Sequence, residues 1–390
     1  MATVITAAEC ISGSTHIADP AVFIEDGRIT RITSRTEAAL PPNAKHIDYP
    51  GATLLPAFVD IHIHGSAGHD VMEGTPSALS TIGRFLATRG VGAYLATTVT
   101  TSIDRTLASL EKLAYFIEEG DTAGQARPLG IHLEGPFISH KKRGVHTPAE
   151  IQPPSIEIFD RFWNAARGQI KLLTIAPEIP GALDLISHAA ACGVIISLGH
   201  TDADTQQTLA AMAAGARSFT HTFNAMRALD HRDPGVTGAA IGLLHESVDL
   251  YSEIVCDGIH VHPAMVRLWF ETKRRDHTVL ITDAISATGM PDGNYKLGDL
   301  QVEVANGRCM YEGRIAGSVL TMDRAVENLR AFTRASTAEL ALASSANPAC
   351  LIGCTQTYGD IAPGRNADIA VVSAEGKLIA SFIAGQRPAN

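Results

Sequence analysis

Six histidines and carboxylates of this chain end or directly follow short apolar runs, a position typical of functional residues in α/β enzymes. They are His62, His64, Glu134, His200, His221 and Asp283. Imidazole nitrogens and carboxylate oxygens are ligands of zinc and iron, and a site made of them can leave room for a water molecule. A divalent ion lowers the pKa of such a water from 15.7 to about 7, and a nearby carboxylate can take its proton. The set therefore predicts a metal-dependent hydrolase.

The spacing of these residues supports a shared site. Side chains alternate between the two faces of a strand, so His62 and His64 point the same way and lie close enough to share an ion. The same alternation places Glu134 at the rim of its strand and His132 one layer deeper. A single His-x-His pair is common by chance, and a histidine after an apolar run is usually structural. The prediction therefore depends on all of the positions together.

Short apolar runs alternate with amphipathic segments through the middle of the chain. Eight candidate strands end near His64, Thr98, Glu134, Ala176, Gly199, His221, Cys256 and Asp283. Eight strand-helix units in roughly 230 residues are typical of a (β/α)8 TIM-type barrel. The competing fold, a doubly wound sheet, would need a glycine-rich phosphate loop after the first strand, where this chain instead has the segment His-Ile-His-Gly at 62–65. We therefore expect the barrel.

Both ends of the chain carry short strands joined by tight turns. Residues 22–24 and 29–32 flank an Asp-Gly turn, which predicts a hairpin, and residues 367–372 and 378–383 predict a second one. We therefore predict a small β-sandwich domain formed from residues 1–52 and 350–390. Residues 53–349 would form the metal-dependent hydrolase barrel.

The composition argues against several classes of protein. Lys and Arg number 31 against 41 Asp and Glu, a net charge of -10 without any basic run, which argues against a nucleic-acid binder. No apolar run approaches the ~18 residues that span a bilayer, and no signal peptide is visible, so we expect no membrane association. The six cysteines form no Cys-x-x-Cys pair. This favours a cytoplasmic location over a disulfide-stabilised secreted protein.

Longer motifs extend over most of the chain. Segments 51–65 and 362–368 resemble the opening and closing segments of the amidohydrolase superfamily. Five further motifs follow along the chain, at 132–137 (His-Leu-Glu-Gly-Pro-Phe), 198–201, 221–226, 257–260 and 282–284. Through these motifs the chain resembles, within that superfamily, the N-acetylglucosamine-6-phosphate deacetylases, which have them in the same order.

The resemblance implies a reaction of amino sugar metabolism, the hydrolysis of N-acetylglucosamine 6-phosphate to glucosamine 6-phosphate and acetate. It implies that Glu134, His200 and His221 hold the main metal ion and that Asp283 is the catalytic acid/base. Members of the family that keep the His-x-His pair can bind a second ion, so His62 and His64 are expected to hold one, with Glu134 bridging. The cofactor would then be one or two divalent ions, with zinc favoured over iron.

The resemblance also implies the substrate contacts. They are His146 on the acetamide carbonyl, then Asn224, the amide of Ala225, Arg232 and His260 on the phosphate, and a substrate loop of Ile315, Ala316 and Gly317. Arg232 would reach the neighbouring subunit's site, which makes a homodimer part of the expected design. Residue type alone would instead make His146 and Arg232 solvent-facing loop residues.

Two other functions stay open. The same barrel and metal set would suit a relative that acts on another N-acyl substrate, such as an N-acyl-amino acid or a cyclic amide, because only the phosphate contacts specify a sugar phosphate. A catalytically inactive relative could serve as a binding protein. The presence of every metal and acid/base residue counts against that alternative.

Overall fold

A computed structural model describes residues 2–13, 15–38, 41–120, 122–242, 250–273 and 275–389. Eight parallel strands form one sheet whose hydrogen-bonded order follows the chain. They are β1 (Phe58–Ile63), β2 (Val91–Thr98), β3 (Arg127–Glu134), β4 (Ile170–Ile175), β5 (Ile195–Leu198), β6 (Ala216–Phe219), β7 (Tyr251–Val255) and β8 (Thr278–Ile281). The helices that follow them are α1 (Pro76–Thr88), α2 (Ile103–Glu119), α3 (Ile156–Ala165), α4 (Ala182–Ala191), α5 (Thr205–Ala214), α6 (Gly235–Gly242), α7 (Pro263–Thr272) and α8 (Met322–Thr333).

The sheet closes into a barrel where β8 meets β1. The amide of Asp283 donates to the carbonyl of His62 at 2.9 Å, and the amide of His64 donates to the carbonyl of Ala284 at 2.8 Å. Below these bonds, the buried carboxylate of Asp60 accepts a hydrogen bond from the hydroxyl of Thr282 at 2.6 Å. The predicted TIM-type barrel is confirmed. The closure also brings the His-x-His pair next to Asp283, although more than 200 residues separate them in the chain.

The two ends of the chain meet in one seven-stranded sheet, called here the terminal sheet. Its strands are Thr3–Ser12, Thr15–Ala18, Pro20–Glu25, Arg28–Ser34, Lys45–Pro56, Ile369–Val372 and Leu378–Phe382. Both predicted hairpins are present. The sheet curls around its own core, because the start of Arg28–Ser34 bonds to the segment that leads into Ile369–Val372. The predicted β-sandwich is therefore built from one continuous sheet.

The apolar run 54–61, which precedes the His-x-His pair, is divided between two sheets. Lys45–Pro56 belongs to the terminal sheet, and β1 begins only at Phe58. Leu54 packs in the core of the terminal sheet and Leu55 in that of the barrel, because adjacent side chains point to opposite faces. The sequence is apolar along the whole run because both faces of the two strands are buried here. The domain boundaries at residues 52 and 350 stay a prediction.

A further antiparallel sheet follows β8 and is called here the hairpin sheet. Its strands are Gly293–Leu297, Leu300–Ala305, Arg308–Tyr311 and Arg314–Ile315. The amide of Gly298 donates to Asp70 at 2.8 Å, and the Arg314 guanidinium donates to the carbonyl of Gly144 at 2.9 Å, which holds the sheet over the carboxyl end of the barrel. Among the described residues, no helix is both long and apolar enough to cross a membrane. All six cysteines are free thiols.

Candidate metal centre and substrate cavity

The first ligand cluster lies at the ends of β3, β5 and β6. Glu134 is the last residue of β3, and His200 and His221 each lie two residues beyond the ends of β5 and β6. The Nε2 atoms of the two histidines lie 3.3 and 3.1 Å from Glu134 Oε1 and 3.1 Å from each other. All three side chains are buried. Their ligand atoms lie within 4.8 Å of one another, close enough for one ion to contact all three.

A second cluster lies beside the first, where β1 and β8 close the barrel. His62 and His64 point to the same side, as their spacing predicts, and their rings lie 5.3 Å apart. Asp283 Oδ1 lies 3.6 Å from His62 Nε2 and 3.3 Å from His64 Nε2. These three residues form a second group that could hold an ion.

Glu134 lies between the two clusters and faces both. Its Oε1 atom, which contacts the first cluster, also lies 3.5 Å from His62 Nε2. Its Oε2 atom lies 3.3 Å from His64 Nε2. A carboxylate with its two oxygens directed at neighbouring ligand groups has the arrangement that a bridging metal ligand requires.

Hydrogen bonds behind the rings orient three of the four histidines. Nδ1 of His64 lies 3.1 Å from the carbonyl oxygen of Thr97, and Nδ1 of His200 lies 2.9 Å from that of Lys142. A carbonyl oxygen can only accept, so both Nδ1 atoms carry the proton and both Nε2 atoms are directed at the carboxylates. Nδ1 of His62 contacts Glu253 in the same way. Metal-binding histidines are typically held by such a bond from the other ring nitrogen.

The charge distribution of the clusters also fits a divalent cation. Burial lowers the pKa of His62 and His64, but the nearby carboxylates outweigh it: Glu134 and Glu253 hold the pKa of His62 well above its usual range, and Asp283 and Glu134 raise that of His64 to about 9. The carboxylates thus attract positive charge to the Nε2 positions. A metal ion would displace these protons on binding.

The ligand-bearing loops have an unusual backbone. His200, His221 and Asp283 all have positive φ angles, of 47°, 28° and 51°. Residues other than glycine are uncommon in this region, although asparagine, aspartate and histidine are enriched there, and each costs about 1–3 kcal/mol. His200 and His221, two residues beyond the ends of their strands, are therefore held in strained conformations, which cluster at functional sites.

His146 faces the two ligand clusters, and the ring nitrogen that points toward them is the one that carries the proton. The backbone amide of Thr100 lies 3.3 Å from Nδ1 and can only donate, so Nδ1 accepts and the Nε2–H group is directed inward, 3.7 Å from Glu134 Oε2. The Thr100 hydroxyl also contacts Nδ1, at 2.7 Å. Burial and the neighbouring His200 lower the pKa of His146 to about 3, which keeps the ring neutral. The predicted loop histidine is thus a buried hydrogen-bond donor.

One cavity of about 320 Å³ opens above the clusters. The residues predicted for the site that line it are His64, Glu134, His146, His200, His221, Asn224, Ala225, His260, Asp283, Ile315 and Gly317. At its edge, His260 Nδ1 lies 2.6 Å from Asp257. Burial lowers the pKa of His260, but Asp257 raises it above the ordinary value. The imidazole of His260 therefore takes up a proton more readily than a free imidazole, which places a positive charge in the wall of the cavity.

Three predicted residues do not line the cavity. His62 is fully buried beneath it, which suits a ligand but excludes direct substrate contact. Ala316 is fully buried in the core of the hairpin sheet, so its side chain does not face the cavity, and its place in a substrate loop stays a prediction. Arg232 is exposed, and its guanidinium forms no salt bridge within the described part of the chain.

Four residues of the site were missed in the sequence. Lys141 and Lys142 line the cavity and pair with Asp202, and Thr100 orients His146. Glu253 lies in β7, where all five residues are buried. A charged residue inside an apolar run was a signal for Glu253, whereas nothing in the local sequence distinguishes Thr100.

Comparisons with known proteins agree with this geometry. The model of the amidohydrolase family matches residues 53–390. The N-acetylglucosamine-6-phosphate deacetylase of Vibrio furnissii is 39% identical over 334 residues, which cover 85% of this chain and 82% of that protein. The N-acetylgalactosamine-6-phosphate deacetylase of Escherichia coli O157:H7 is 35% identical over 366 residues, 93% of this chain and 95% of that protein.

A solved structure agrees over the full length. It is a mutant N-acetyl-D-glucosamine-6-phosphate deacetylase from Mycobacterium smegmatis in complex with N-acetyl-D-glucosamine-6-phosphate, and it matches with a TM-score of 0.91 and 31% identity, covering 100% of both chains. The barrel, the ligand clusters and the sequence similarity therefore lead to one assignment. The chain belongs to the amidohydrolase family and, within it, to the N-acetylglucosamine-6-phosphate deacetylases.

Proposed function

We propose that this protein hydrolyses the acetamide of N-acetylglucosamine 6-phosphate to glucosamine 6-phosphate and acetate. The observation that carries the proposal is the convergence of Glu134, His200, His221, Asp283 and His146 on one cavity that also has basic groups in its wall. This arrangement combines cation ligands, a proton acceptor and a donor for a carbonyl oxygen. An inactive binding protein would not need all three.

Glu134, His200 and His221 would hold one divalent ion, and His62, His64 and Asp283 a second, with Glu134 shared between them. Imidazole and carboxylate ligands suit both zinc and iron, of which we favour zinc. When bound, such an ion supplies Lewis-acid polarisation and lowers the pKa of a coordinated water.

The side chains of the protein supply the proton transfers. Asp283, at the rim of β8, takes the proton of the attacking water and delivers it to the departing amine. The Nε2–H group of His146 donates to the acetamide oxygen as negative charge develops there. The depressed pKa of His146 matches this role, because a ring that stays neutral keeps one fixed donor and one fixed acceptor.

The phosphate would bind at the basic side of the cavity. His260, the loop of Asn224 and Ala225, and the ammonium groups of Lys141 and Lys142 lie there. Ile315 and Gly317 would contact the sugar from the hairpin sheet. Cations within one wall of the cavity can bind a single phosphate despite the acidic net charge of the chain.

Acetate release from three substrates tests the proposed function. We expect the highest kcat/KM with N-acetylglucosamine 6-phosphate. With unphosphorylated N-acetylglucosamine the value should be lower by at least about 10²-fold, because the charged groups that bind the phosphate would be left without a hydrogen-bond partner. N-acetylgalactosamine 6-phosphate is the second candidate, since one relative carries that name. Equal rates with and without phosphate would overturn the phosphate site and favour another N-acyl substrate.

Replacing His62 with alanine is expected to lower the number of bound divalent ions from two per chain to one. His62 contributes to the second cluster, whereas Glu134, His200 and His221 stay intact. Elemental analysis of protein purified without added metal measures the number. A variant that keeps both its ion content and its rate would exclude the two-ion proposal.

Arg232 would act in the site of a neighbouring subunit of a homodimer. Its exposure and the absence of a salt bridge among the described residues support a partner outside the chain. Arg232→Ala is expected to raise KM by about 10-fold or more while kcat changes less.

A mixture of subunits tests whether Arg232 acts across the dimer. Arg232→Ala and Asp283→Asn chains, refolded together, would give hybrids in which one site has both Asp283 and an arginine from the neighbour. Random assortment then restores about one quarter of the wild-type activity at low substrate. If mixing restores nothing, Arg232 serves its own site or none.

A further inference from the structure

Glu253 is a fully buried charged residue beside the ligand clusters, and the proposed reaction gives it no part as a ligand, an acid/base or a substrate contact. It lies in the middle of β7, and its side chain is fully inaccessible to solvent. Its Oε2 atom lies 3.0 Å from Nδ1 of His62 and 3.0 Å from the backbone amide of His221. Its Oε1 atom has no hydrogen-bond partner among the described residues. A buried carboxylate with one unsatisfied oxygen is costly, which calls for a compensating role.

Glu253, His62 and His132 are close enough to suggest a third ion site below the other two. The hydrogen bonds argue against it. Nε2 of His132 lies 2.8 Å from the Thr174 hydroxyl, and its Nδ1 lies 3.4 Å from the Thr97 hydroxyl, so both ring nitrogens are already engaged. Nδ1 of His62 is engaged by Glu253 itself.

The opposite side of the His62 ring is different. Its Nε2 atom has no hydrogen-bond partner within the described residues, and it lies 3.5 Å from Glu134 and 3.6 Å from Asp283. A carboxylate can only accept, so Glu253 keeps the proton on Nδ1 and directs Nε2 toward the second cluster. Carboxylate, histidine and cation in this order form the usual support of a metal-binding histidine.

We propose that Glu253 is a positioning residue for the second cation, which holds His62 in the tautomer and orientation that bind the ion. The inference rests on the proposed second cluster. His64 is held by a backbone carbonyl that any residue could supply, whereas His62 depends on this one side chain. The loss of Glu253 should therefore release the His62 ring, whereas at His221 it removes a partner of the backbone amide and leaves the imidazole in contact with Glu134.

Two variants separate the acceptor from the shape of the side chain. Glu253→Leu fills similar volume without an acceptor, whereas Glu253→Gln keeps an oxygen that can accept from both His62 and His221. Glu303→Gln, at an exposed strand position of the hairpin sheet, is the matched control. Melting temperatures identify any variant that fails to fold, in which case Glu253→Gln alone decides.

The hydrogen bond from Nδ1–H of His62 to Glu253 is measured directly by NMR of histidine-¹⁵N-labelled protein. We expect a downfield Nδ1–H resonance that His62→Ala removes, Glu253→Leu abolishes, Glu253→Gln shifts upfield and Glu303→Gln leaves in place. This readout needs neither activity nor a second ion, so it stays decisive if the protein binds one ion or acts on another substrate. A resonance unchanged in Glu253→Gln or Glu253→Leu would overturn the proposal.

Zinc affinity, measured by competition with a chromophoric chelator, gives the second readout. Glu253→Leu should weaken binding of one zinc ion by about 10- to 100-fold and leave the other ion unchanged, whereas Glu253→Gln should retain most of the affinity. Added to His62→Ala, Glu253→Leu should cause no further loss. A further loss of zinc affinity in the His62→Ala background would mean that Glu253 acts through His221. Equal losses of affinity in the leucine and glutamine variants would mean that the acceptor oxygen does not matter. Either result would overturn the proposal.

Discussion

Replacing Asp283 with asparagine is expected to lower kcat for acetate release by about 10²–10⁴-fold, the range that a positioned acid/base contributes. The amide keeps the shape of the side chain but cannot take a proton from water or deliver it to an amine. Asp283 lies where this exchange must occur, beside His64 at 3.3 Å and in the wall of the cavity. The hydrogen bond from His64 and the charge of His62 hold the pKa of Asp283 well below its usual range despite burial, so the carboxylate is available as a base.

Asparagine is also the substitution that the backbone tolerates best at this position. Asp283 has a φ angle of 51°, in the left-handed region where asparagine is enriched. The fold and the ion of the first cluster should therefore survive, and melting temperature together with metal content would verify this. A folded Asp283→Asn protein with full hydrolysis would refute the proposed mechanism.

Replacing Glu134 with glutamine is expected to have the largest effect on metal content. Glu134 contacts both clusters, and its carboxylate is the only one within reach of all four ligand histidines among the described residues. Its loss should lower the affinity for both ions by more than about 10- to 100-fold, the typical loss when a hydrogen-bond partner behind a metal ligand is removed. The rate should fall with the ion content.

Elemental analysis and the acetate assay on the same preparation measure both effects. Glu303→Gln, which removes a charge at an exposed strand position, should change neither. Excess zinc should restore part of the activity of Glu134→Gln if the remaining ligands still bind weakly. A variant that keeps two tightly bound ions would show that Glu134 is not shared.

The sequence predicted the barrel well because its periodicity is local. Each strand is a short apolar run, so eight ends could be placed from residue types alone, and in a barrel all such ends meet at one face. His62, His64, Glu134 and Asp283 were found in this way. Arg232 and the substrate loop were placed by family resemblance instead, and Ala316 proved to be a buried core residue.

The pairing of distant residues had to come from the tertiary structure. Whether Glu134 bridges two clusters depends on the closure of the barrel between β1 and β8, and the support of His62 by Glu253 depends on two strands that lie 191 residues apart in sequence. The proton on His146 is likewise decided by a backbone amide from another loop. Residue types and their local period specify which groups face the site, because alternation along a strand is a local property. Distances, tautomers and charge states depend on packing between strands, which no local pattern encodes.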